Sequence, residues 1–196
     1  MRIPLTDYTL GATVATDLIN TSPTVRPTTG DALPDPGALA HFLAEHGVSP
    51  DATADDRTPT DEDLHRVRLL RREVRVVVET ETEAQAVAGA TVLAARVGRA
   101  PVLHRDADNR WQWYVPTALD ATLADELAAL IGVALLGVVR GLGHERFRAC
   151  VTPDCRGVFV DTSRAGRRRY CMPDLCGNRV NVANHRARNR IGGTTR

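Results

Sequence analysis

Cys150, Cys155, Cys171 and Cys176 are the only cysteines in a chain of 196 residues, and they stand as two pairs separated by fifteen residues. Two closely spaced pairs of soft thiolates are what a closed tetrahedral zinc shell is built from. A stretch this short also cannot hold itself together by burial alone, because units below about 40 residues need a metal, disulfides or a partner. Two disulfides, or four unconnected core cysteines, are the competing readings. The opening Met1-Arg2-Ile3-Pro4-Leu5-Thr6-Asp7 has no apolar run of the kind that heads an exported chain. A reducing compartment, and reduced thiols, are therefore expected. No His, Asp or Glu is needed to complete the shell, so the expected ion is one structural Zn2+ with no open position.

The net charge of +1 conceals two opposite halves. Residues 1–139 carry 12 Arg against 20 acids, a balance of −8, and residues 140–196 carry 13 Arg against 4 acids, a balance of +9. Four thiolates and one Zn2+ would leave the second half at +7. A basic tail on an acidic body points to a polyanion partner, or to docking of the halves on each other. The longest apolar run, Leu127 to Val139, is too short to span a bilayer. A cytoplasmic chain without a membrane partner is expected.

Five helices are predicted before the cysteines. The first ends near Asn20-Thr21, where Asp17, Asn20 and Thr21 either contact a ligand or satisfy backbone groups at the helix end, the commoner use of such residues. Asp35-Pro36 opens the second, with Leu39, Phe42 and Leu43 as its apolar stripe and Gly47 as its stop. Thr60-Asp-Glu-Asp63 is a capping box ahead of Leu64, Val67, Leu70, Val74 and Val77 at helical spacing. Thr82 starts the fourth helix, whose Ala86, Ala90 and Leu93 share a face and whose small residues permit close approach to its predecessor. Pro101 to His104 and Arg110 to Val115 read as a β-hairpin, with Trp111 and Trp113 on one face. Packing of that pair against the helices is expected, a small-molecule pocket being the alternative. Pro116-Thr117 opens the last helix, the apolar one, which ends at Gly141 to His144.

Between the cysteine pairs, Gly157 to Asp161 and Arg167 to Cys171 flank a turn-rich stretch and predict a second hairpin. Cys176 then begins a helix running to about Arg190, in which Arg179, Arg186 and Arg190 lie along one face near Asn178 and Arg188. Helix N-terminal N–H groups would help to hold the Cys176 thiolate. The fold class is α+β, mainly α: a helical domain with a β-hairpin over residues 1–143, then a small treble-clef-like four-cysteine zinc finger over residues 144–196.

The order of motifs Cys150-Val-Thr-Pro-Asp-Cys155, Gly157-Val-Phe-Val-Asp161, Arg168-Arg-Tyr-Cys171 and Cys176-Gly-Asn-Arg179 resembles the CGNR zinc finger. In that family an N-terminal ABATE domain precedes the finger, and Asp17-Leu-Ile-Asn-Thr21 is similar to its signature, with Leu18-Ile19 where an aromatic is usual. The resemblance implies a stress-induced transcription regulator whose finger binds double-stranded DNA and whose body senses a signal or a small-molecule effector. Arginine can bridge O6 and N7 of guanine and asparagine can do the same for adenine, so the Arg179 helix suits base edges. Arg164, Arg167, Arg168 and Arg169 at the hairpin tip suit phosphates. RNA is a further candidate partner. The competing class is a protein-interaction or dimerisation module without DNA binding, its arginines docked on the acidic body, on a partner or on a second copy. Catalysis is not expected: the six His are scattered, and neither a nucleophile elbow nor a Gly-rich phosphate loop is present.

Overall fold

In a computed structural model of the full chain, residues 1–177 are described. Among the described residues are five α-helices and two small antiparallel sheets, in the order β1 (Arg2–Pro4), α1 (Thr9–Asn20), α2 (Pro36–Glu45), α3 (Asp61–Val78), α4 (Glu83–Ala95), β2 (Val102–Arg105), β3 (Trp111–Pro116), α5 (Leu123–Leu142), β4 (Phe147–Ala149) and β5 (Val158–Val160). The mainly helical α+β class expected of the sequence is the class observed.

Local sequence signals account for most helix starts. Asp35 accepts from the Ala38 N–H at 2.8 Å with Pro36 next to it, and both Thr60–Asp63 and Thr82–Gln85 form complete capping boxes. Each such cap contributes about 1 kcal/mol by pairing N–H groups that the helix itself cannot satisfy.

Helix α5 is the centre of the core. Leu127, Ile131, Leu135 and Val138 are fully buried, and α1, α3 and α4 pack around the helix. The small residues of α4 serve α5 more than α3. A Cβ on Gly132 would lie 2.4 Å from the Ala94 nitrogen and 2.7 Å from the Ala90 carbonyl oxygen, so only glycine permits this backbone approach. Helix α5 begins later than Pro116-Thr117. Pro116 still belongs to β3, the Thr122 hydroxyl accepts from the Asp125 N–H, and Leu119 stays 94% exposed. Thr117 is instead drawn into a buried polar cluster. Its hydroxyl donates to Glu126 Oε1 (2.8 Å), which also faces the Met1 ammonium (2.6 Å), and Glu126 Oε2 accepts from the Ala52 N–H (2.9 Å).

The hairpin β2–β3 forms as read, with Leu103 opposite Trp113 and Arg105 opposite Trp111. Strand β1, which carries no local signal, pairs on the other side of β3 with Ile3 opposite Val115. The tryptophans are not part of the helical core, against expectation. Val115 reaches the core, but the strand runs outward from there, leaving Trp113 48% and Trp111 62% exposed, with the Arg105 guanidinium 4.5 Å from the Trp111 ring centre.

The second sheet corrects the expected second hairpin. Strand β5 pairs with β4, Phe147 opposite Val160 and Ala149 opposite Val158, rather than with Arg167 to Cys171. The first cysteine pair thus sits in the connection between two paired strands, and the second pair lies beyond them. Cys176 falls in a single π-helical turn, Pro173–Gly177, and the helix expected to continue to Arg190 lies outside the described residues. Among the described residues, no helix is long and apolar enough to cross a membrane.

Candidate metal centre

Three local devices bring the four thiols together. Leaving β4, the Cys150 N–H donates to the Gly157 carbonyl (2.8 Å), closing a knuckle in which the Cys155 N–H reaches the Thr152 carbonyl (3.1 Å) and Asp154 takes a left-handed backbone (φ +60°). The Gly157 N–H then points at Cys155 Sγ (3.4 Å), an orientation that favours the thiolate. Gly157 has no alternative: a Cβ there would stand 2.2 Å from Cys171 Sγ. In the second pair, the Met172 carbonyl accepts from the N–H groups of Leu175 (3.2 Å) and Cys176 (2.8 Å), folding Cys176 back onto Cys171. The Val151 N–H to the Arg169 carbonyl (3.1 Å) and the Thr152 hydroxyl to the Cys176 carbonyl (3.3 Å) tie the two halves together.

The third device is Asp161, a residue whose role the sequence did not reveal. Its fully buried carboxylate accepts from the N–H of Ser163 (2.9 Å), the N–H of Arg168 (3.1 Å) and the Arg148 guanidinium (3.2 Å), and so turns the chain back toward the second cysteine pair. Burial alone would raise its pKa, but these bonds and the Arg148 charge outweigh burial and hold the carboxyl below its usual range.

The outcome is a cluster in which Cys155, Cys171 and Cys176 have sulfur–sulfur distances of 3.6, 3.6 and 3.7 Å, with all four ligand atoms within 4.8 Å of one another. A regular tetrahedron with zinc–sulfur bonds of about 2.3 Å has edges of about 3.8 Å. A disulfide would need about 2.05 Å, and the four are free cysteines. The donor set fits one structural Zn2+, held by Cys150, Cys155, Cys171 and Cys176. Electrostatics agree. Burial, and then the charges of its neighbours, push the Cys171 thiol far up, and burial raises Cys155. Burial would also raise Cys150, but hydrogen bonds to Thr152 and to the Cys171 backbone bring it down to about 7. Four ionised thiols cannot share this volume without a positive charge among them, and a divalent ion supplies it.

The cluster rests on Phe159, the fully buried middle residue of β5, which packs with Cys150, Cys171 and Cys176. Arg168 stacks on that ring at 4.9 Å and donates to the carbonyls of Tyr170 (2.9 Å) and Cys171 (2.5 Å). Arg164, Arg167 and Arg169 are exposed. Asn178, Arg179, Arg186, Arg188 and Arg190 lie outside the described residues.

The polar residues near the end of α1 meet this module directly. Asn20 Nδ2 donates to the Thr16 carbonyl of its own helix and to the Val158 carbonyl of β5, both at 2.7 Å, and the Thr16 hydroxyl accepts from the Val160 N–H (3.0 Å). Thr21 donates to the Leu18 carbonyl (2.6 Å) and accepts from Arg71, a buried guanidinium paired with Asp31 at 2.7 and 2.8 Å. Asp17 faces His46 Nε2 at 3.0 Å. Asn20 and Thr21 therefore satisfy backbone groups, as residues at a helix end commonly do, and Asn20 in addition crosses to the finger.

Comparison with known families places both halves. Residues 12–141 match the ABATE family model, described as "Putative stress-induced transcription regulator", and residues 146–189, which span all four cysteines, match the CGNR zinc finger. Both are families of regulator or zinc-finger type, not of enzymes. No curated protein matches the chain.

Proposed function

Because the chain belongs to the ABATE family, with a CGNR zinc finger behind that domain, we propose that it is a cytoplasmic transcription regulator in which residues 144–196 bind duplex DNA and residues 1–143 sense a signal. The observation that carries this reading is how the finger's charge is spent. Among the described residues, the one ion pair made by a finger arginine is internal, Arg148 to Asp161. Among the described residues no ion pair joins finger and body: Asn20 and Thr16 bond to β5, Arg75 donates to the Arg156 carbonyl at 2.7 Å, and Arg26 reaches the Met172 sulfur. The acidic body thus leaves Arg164, Arg167 and Arg169 unneutralised on a segment that the zinc cluster and Asp161 hold in shape. Arg168 is spent on Phe159 and on backbone carbonyls. Three arginines on a fixed turn suit phosphate contacts, and Arg179, Arg186, Arg188 and Arg190 with Asn178 would add to them.

The alternative is a protein-docking or dimerisation module. It is favoured by the same interface, because one surface of the finger is already used to bind protein, its own body. Fluorescence anisotropy of the zinc-loaded chain on duplex DNA across salt separates the readings. DNA binding predicts an affinity that falls steeply with salt, and loss of three phosphate contacts in a R164A/R167A/R169A variant should flatten the log–log slope by about 3. Salt-independent binding, or none, would leave the docking module. A homodimer, which a single small finger would exploit by reading two half-sites, would show as a sharp dependence on chain concentration.

A further inference from the structure

Between the ends of α1 and α2 and the loop from Cys171 to Cys176 lies an open cavity of about 370 Å3. That volume is within the range of small-ligand sites, about 300–1,000 Å3. Leu33, Phe42 and Met172 form its apolar wall, and Asp17, Arg26 and His46 its polar one. All the lining charges except one have an opposite partner. His46 faces Asp17 at 3.0 Å, and at the rim His41 faces Glu45 at 3.2 Å. The exception is Arg26, which has no carboxylate partner among the described residues. Its Nε donates to the Asn20 carbonyl (3.1 Å), and its Nη2 reaches only the Met172 thioether (3.4 Å), a weak acceptor. A half-buried guanidinium therefore turns donors toward the cavity without a strong acceptor to take them.

We infer that this cavity binds a small monocarboxylate with an apolar body, the carboxylate on Arg26 and the body against Leu33, Phe42 and Met172. The inference rests on the reading of the body as a sensor and gives that sensor a site. A single negative charge is what the wall selects. Asp17 and Glu45 already hold the two histidines, so one guanidinium is left to meet an incoming anion, and the C-terminal ends of α1 and α2 oppose the second charge of a dianion such as phosphate. The site also touches the metal centre. Met172 lies between two zinc ligands, and its carbonyl holds the Cys176 N–H. A carboxylate that takes Arg26 Nη2 from the Met172 sulfur, with its body packed on the same side chain, binds the zinc-loaded, docked finger in preference to a loosened one. By linkage, ligand and zinc then strengthen each other's binding.

The test uses the zinc-loaded full chain with benzoate and phenylacetate as probes and inorganic phosphate as the control, followed by calorimetry and by the rate of zinc loss to a chelator. The expected result is saturable binding of at least one carboxylate, severalfold slower zinc loss in its presence, and no effect of phosphate. Arg26→Gln should weaken binding tenfold or more, while Arg110→Gln, on the distant hairpin, should bind like the parent. If Arg26→Gln does not fold, Ala38→Trp, which fills the cavity from α2, is expected to abolish binding instead. The site is overturned if neither carboxylate binds, if phosphate binds in their place, or if both cavity variants bind as the parent does. DNA affinity is measured separately on the same preparations. Carboxylate binding without DNA binding would sink the DNA reading and keep the site, and the reverse would sink the site alone.

Discussion

The side-chain amide of Asn20, the last residue of α1, donates to the backbone carbonyl of Val158 in β5 at 2.7 Å. One turn earlier on the same helix, Thr16 accepts from the Val160 N–H at 3.0 Å. Four helical residues rise about 6 Å and two strand residues about 6.6 Å, so side chains at i and i+4 of a helix can meet alternate backbone groups of a strand. Helix α1 thus serves β5 as a neighbouring strand would, and the finger's exposed sheet edge is closed by the body.

That arrangement predicts the effect of Asn20→Ala. The Val158 carbonyl loses its partner in a site closed to water, which costs about 1–3 kcal/mol. Chemical denaturation should show the loss, and amide hydrogen exchange should show it concentrated in residues 147–171. Asn20→Asp should be worse, because a carboxylate oxygen would then face two carbonyls. A uniform loss across all helices would count against the clamp.

Gly157→Ala tests the crowding at the metal. The new Cβ would lie 2.2 Å from Cys171 Sγ and 2.9 Å from Asn20 Oδ1, so the knuckle must shift. Zinc affinity should fall at least tenfold while the far-ultraviolet circular dichroism of the helical body stays near that of the parent. Competition with a chromogenic chelator reads the first quantity.

Elemental analysis should find one zinc per chain, and Cys171→Ser should lower that stoichiometry. Chelation should release protection from exchange in residues 147–177 before it does so in α5, whose burial owes nothing to the metal. Cobalt in place of zinc should give the absorption of a tetrahedral all-sulfur site. Two disulfides in place of a metal would overturn the whole account of the centre.

His46 gives the pH dependence. The hydrogen bond to Asp17 raises its pKa above the ordinary 6.5, against the opposing effect of burial. The folded state therefore holds the proton more tightly than the unfolded chain does. The resulting stability is fully present below pH 6.5 and is lost as pH rises through the higher folded value. The difference in melting temperature between the parent and Asp17→Asn should shrink over that interval, and a difference that grew with pH would contradict the pairing.

Much of this was legible along the chain. Asp35, Thr60 and Thr82 announced three helix starts, because a cap and the N–H group it satisfies are three residues apart. The four zinc ligands were equally plain, since two close thiol pairs have few other uses in a reducing compartment. The place of the Arg168 side chain was not legible, for the opposite reason. Nothing in a run of three arginines shows that the middle one will lie over Phe159, nine residues away.

What the sequence by itself determined is therefore local: where the helices begin, which faces are apolar, and which four sulfurs can share an ion. Only the tertiary structure decided that Arg2–Pro4 joins β3, that the hairpin carries Trp111 and Trp113 past the core into solvent, and that α1 closes the edge of β5. The partners in these contacts are separated by more than 100 residues of chain, or depend on where an element stops relative to the core. A period or a cap is written within one turn, whereas a pairing between distant segments is settled by which buried polar groups would otherwise go unsatisfied.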